Sequence, residues 1–60
     1  MNLENLMETM KDEVSIAIHE ADKFSAGNKA AGTRVRKSMQ SIKSMAQDVR
    51  VQVQEIKNNS

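Results

Sequence analysis

Sixty residues, 38% of them hydrophobic and 28% charged, allow a single domain that is too apolar for a disordered tail and too polar to cross a bilayer. The absence of cysteine and the lone His19 exclude a disulfide framework and a zinc centre, so a chain this small is expected to gain stability by oligomerising. The net charge of +1 hides a division: Glu4, Glu8, Asp12, Glu13, Glu20 and Asp22 against Lys11 and Lys23 leave the first half at −4. The second half carries Lys29, Arg34, Arg36, Lys37, Lys43, Arg50 and Lys57 against Asp48 and Glu55, or +5, which suits attraction between helices or an anionic ligand on the basic half.

The first predicted element is a helix over about residues 2–25. Leu3, Met7, Met10, Val14, Ala17, Ala21 and Phe24 alternate at spacings of four and three, which places them on one narrow stripe. Ser25-Ala26-Gly27-Asn28 reads as the turn, because Gly27 can adopt the left-handed conformation that stops a helix and Asn28 can cap the next one. The second predicted helix covers about residues 29–57, where Val35, Met39, Ile42, Ala46, Val49, Val53 and Ile56 repeat the same alternation.

So short a connection makes the helices antiparallel neighbours. The expected fold is all-α: a two-helix coiled-coil hairpin in which Phe24 meets Ala31 and Val35, Val14 meets Ile42, and Leu3 meets Val53. The apolar residues outside the stripes, Leu6, Ile16, Ile18, Met45 and Val51, offer a second face. The expected assembly is a homodimer forming a four-helix bundle, with a tetramer as the alternative.

Lys29, Arg36, Lys43, Arg50 and Lys57 recur every seven residues and form one cationic row beside the second stripe. Such a row pairs with acids across a coiled-coil interface or binds an anionic polymer. The start of the second helix favours the latter: Lys29 lies where the helix dipole disfavours a cation. Gly32 is a poor helix former, and Ala30, Ala31 and Gly32 are small enough for a phosphate to approach free backbone N–H groups. Close approach of the helices near Phe24 would explain the small residues but not the cations.

Gly27-Asn28-Lys29-Ala30-Ala31-Gly32-Thr33-Arg34-Val35-Arg36-Lys37, followed by Ser38 and a heptad helix, resembles the bacterial histone H1-like family, the Hc1-like proteins associated with chlamydial nucleoid condensation. The resemblance implies DNA binding without sequence specificity, a nucleoid-associated place in the cytoplasm, and a bacterial or bacteriophage setting. Carried onto this chain, it makes Asn28, Lys29, Thr33, Arg34, Arg36 and Lys37 the DNA-binding candidates, to which the cationic row adds Lys43. The chlamydial proteins continue into a long Lys-rich tail, so this chain is expected to be a short form that ends at Asn58-Asn59-Ser60.

The expected mechanism is contact with duplex phosphates through these side chains. There is no Trp or Tyr and only one Phe, so platforms for stacking single strands are absent. The alternative is a homo-oligomeric interaction module whose basic row recruits an acidic protein. No enzyme activity, cofactor, metal, small-molecule substrate or membrane attachment is expected, because His19 has no second acid or base placed with it and no phosphate-loop signature follows either glycine.

Overall fold

The computed structural model describes residues 2–59, which form two helices, α1 (Leu3–Ser25) and α2 (Lys29–Asn58). Among the described residues there is no strand. Asn2 opens α1, its side-chain oxygen accepting from the Asn5 N–H at 2.8 Å. Glu4 in the first turn and Lys23 in the last complement the helix dipole.

Three residues reverse the chain. Gly27 has φ = +106°, and its N–H donates to the Phe24 carbonyl while the Asn28 N–H reaches back to that of Lys23, each at 3.0 Å. This pair of bonds is a Schellman stop, which needs a residue in the left-handed region. Asn28 is extended, and its side chain accepts from the Ala31 N–H at 3.3 Å, so the residue that completes the stop of α1 also caps α2.

The helices lie antiparallel as a rod with extents of 50 × 15 × 14 Å. Its core is thin: among the described residues Leu6, Ala17 and Ala31 are the buried apolar ones, with Glu20 and Ser38 buried beside them. Level with one another near the turn stand Glu20 and Arg34, which are hydrogen-bonded, and Phe24 and Gly32, whose absent Cβ would lie 2.7 Å from the phenyl ring.

The contact line differs from the expected stripe by one heptad column on each helix. The columns Leu3/Met10/Ala17 and Val35/Ile42/Val49 remain near the line. Their inner neighbours are Leu6/Glu13/Glu20 and Ala31/Ser38/Met45, all buried or half-buried. The more apolar columns on the other side turn outward, with Met7 51%, Val14 40%, Met39 45% and Val53 39% exposed. Hence Val14 and Val53 do not occupy the interior expected for them. The physical reason is that Ala17, Ala31 and Ser38 let the helices approach closely, and the Glu20–Arg34 pair clasps the same edge.

Phe24 is 53% exposed, with its ring lying over Gly32. Helix α2 is seven residues longer than α1, so its last two turns, with Ile56 56% exposed, run on past the start of α1.

Candidate nucleic-acid interface

The contact line divides the cations of α2 between two faces. One shallow hollow is lined by Ala21, Phe24, Ser25, Lys29, Gly32, Thr33, Val35 and Arg36. The hollow on the opposite face is lined by Glu13, Ile16, Glu20, Arg34, Lys37, Ser38 and Ser41. The segment from Asn28 to Lys37 therefore does not present its basic side chains together.

Arg34 is engaged within the chain. Its Nε donates to Glu20 Oε2 at 2.7 Å, and Lys23 Nζ lies 3.7 Å from the other carboxylate oxygen. The Arg34 hydrogen bond holds the Glu20 carboxyl below the usual glutamate range against the opposing effect of its partial burial, with help from the charges of Arg34, Lys23 and His19. Charge-assisted bonds of this kind favour the ionised acid. Lys37 is exposed on this same, partly acidic face.

The row on the other flank is different. Lys29, Arg36, Lys43 and Arg50 are exposed and make no ion pair with any described residue. Each is seven residues from the next, or about 10.5 Å along the helix, so Lys29 to Arg50 covers about 32 Å. Lys43 and Arg50 share a hollow with Gln40, Ser44, Ala46, Gln47 and Asp48. Their flank contains a single acid, and amides and a hydroxyl supply its other polar groups.

The neutral candidates take local roles. Asn28 spends its side-chain oxygen on the cap of α2, while Thr33 stays exposed beside Lys29 and Arg36. Two of the three small residues at the start of α2 serve packing, since Ala31 is fully buried and Gly32 accommodates the Phe24 ring.

A family model described as histone H1-like protein Hc1 matches residues 4–59, both helices and the turn between them. The chain belongs to the histone H1-like Hc1 family. No curated protein and no solved structure matches this Hc1-family chain.

Two residues that shape the interface lie outside the DNA-binding candidates drawn from the sequence. Arg50 belongs to the row by its spacing, but it lies outside the segment that carries the family resemblance. Glu20 is the residue that removes Arg34 from the cluster, and its distance of fourteen residues across a turn gave no local signal. Among the described residues there is no group of His, Asp and Glu able to hold a metal ion, and no helix is long and apolar enough to cross a membrane.

Proposed function

We propose that this Hc1-family chain is a nucleoid-associated, histone-like protein that binds double-stranded DNA through the phosphate backbone without reading bases. The observation that carries the reading is the row Lys29, Arg36, Lys43 and Arg50, exposed and free of ion pairs with described residues along one flank of α2. Family membership supports it. Its length of about 32 Å is close to the roughly 34 Å turn of a duplex, so one molecule laid along DNA meets both strands. Long, flexible lysine and arginine side chains at that spacing make point contacts with phosphates, which position a protein but carry no sequence information. Thr33 adds a neutral hydrogen bond beside Lys29 and Arg36, and Lys37 and the exposed edge of Arg34 reach phosphate only at the margin of the interface.

The particle that binds is a homodimer, whose two rows supply two sets of contacts. Gel-shift titration against two random duplexes of different base composition tests the reading. Equal affinities within about threefold are expected. A preference of a hundredfold for one sequence, or no shift at low salt, would overturn it. An acidic protein partner remains the reading to adopt in the second case.

A further inference from the structure

We infer that the exposed apolar face of the hairpin is covered by a second copy laid on it with both turns at the same end, so that α2 of each copy lies on α1 of the other. The inference rests on the homodimer proposed above and fixes its geometry. Three observations carry it. The chain exposes 4729 Å² of surface, whereas a compact monomer of 6.7 kDa exposes about 3,900 Å², so the lone hairpin leaves open more surface than its mass requires. The rod that carries this face measures 50 × 15 × 14 Å. The face is lined by exposed Met7, Val14 and Met39 and half-buried Ala21 and Ala46, from the columns that the hairpin turns outward, with the exposed Phe24 at its turn end.

Charge then selects between the two twofold arrangements of such a face. With the turns at opposite ends, α2 lies on α2, and the row Lys29, Arg36, Lys43 and Arg50 confronts its own reverse, cation against cation throughout. The acidic helices meet in the same way. With the turns at the same end, each +5 helix lies on a −4 helix. Heights along the rod are then preserved, and the register in which Glu20 stands level with Arg34 extends to the neighbouring copy. Arg50 comes level with Glu4 of the second copy, with Glu8 one turn further on, while Arg36 comes level with Ile18 and Lys43 with Lys11. The middle of each row therefore keeps its charge, and the two rows lie on opposite flanks of the bundle.

Dipolar spectroscopy on a nitroxide attached to Ala26→Cys tests the geometry directly, since the chain has no other cysteine. Measured without DNA, the distance between labels is expected to fall below about 25 Å, on the scale of two packed hairpins with helix axes 8–10 Å apart. A distance near the 50 Å length of the rod would overturn the arrangement, and a sample that stays monomeric would overturn the docking itself. Val14→Glu with Met39→Glu should abolish the short distance while helicity by circular dichroism is retained. Ile16→Glu with Val51→Glu, outside the face, should preserve it, and the reverse pattern would reject the face. Because no duplex is present, failure of DNA binding leaves this result standing, and a monomer that still shifts DNA would sink only the dimer.

Discussion

Glu20 and Arg34 show how a single pair sets the surface left for a ligand. The carboxylate is mostly buried and accepts from the guanidinium at 2.7 Å, so each group holds the other at the edge of the contact line. Glu20 has its carboxyl held below the ordinary glutamate range by that bond. The ionised folded form is thereby favoured, and the pair's contribution to stability is fully present above the unfolded value of about 4.3. It is lost as pH falls through the depressed folded value. The thermal midpoint should fall on acidification below about pH 4.5, and Glu20→Gln should flatten that part of the profile. A variant with an unchanged acid limb would show that the pair contributes nothing.

Gly27 offers a cleaner test of backbone conformation, because no atom lies where its Cβ would be and only φ = +106° opposes a side chain. Gly27→Ala should cost about 1–2 kcal/mol by denaturant titration, with helix content retained in the folded state.

At the scale of the helices, the column spacing and the Gly27-Asn28 turn made two antiparallel helices legible, since both signals are local. The phase of the contact line was not legible. Counting apolar residues favours the columns of Met7, Val14 and Met39, but the hairpin closes on Leu6, Ala17, Ala31 and Ser38. Small residues gain more from close backbone approach than their own hydrophobicity indicates, and the Glu20–Arg34 bond across the turn has no sequence periodicity. The same limit applies to the interface. Seven-residue spacing makes the row visible, yet the loss of Arg34 to Glu20 depends on a neighbour fourteen residues away.

The two columns should respond differently to truncation. Leu6, 4% exposed, should lose about 2–4 kcal/mol as Leu6→Ala in a dilute sample. Val14→Ala at the same dilution should change stability by less than about 1 kcal/mol and lose more as concentration rises, because its burial then depends on association. Equal effects of the two substitutions at all concentrations would contradict this division of labour between the columns.

The whole molecule is a thin rod of 50 × 15 × 14 Å, and the proposed second copy and the proposed duplex both lie against its sides. In the same-end dimer the basic rows face opposite directions, and one particle should hold two duplexes side by side. A fluorescent duplex should therefore be retained by the protein on beads carrying a second, unlabelled duplex, and Val14→Glu with Met39→Glu should reduce that retention at least tenfold.

In the proposed mode binding is governed by the phosphates, each contact with which releases counterions and adds about 0.9 to the salt slope of duplex binding. The decisive measurement is the affinity for random duplex DNA as a function of salt, for the natural chain and for Arg36→Gln with Lys43→Gln. The expected slope is about −3 to −4 per protomer engaged, falling in magnitude by about 2 in the variant. A slope near zero, or one that the double substitution leaves unchanged, would contradict the assignment of the row as the DNA-binding surface.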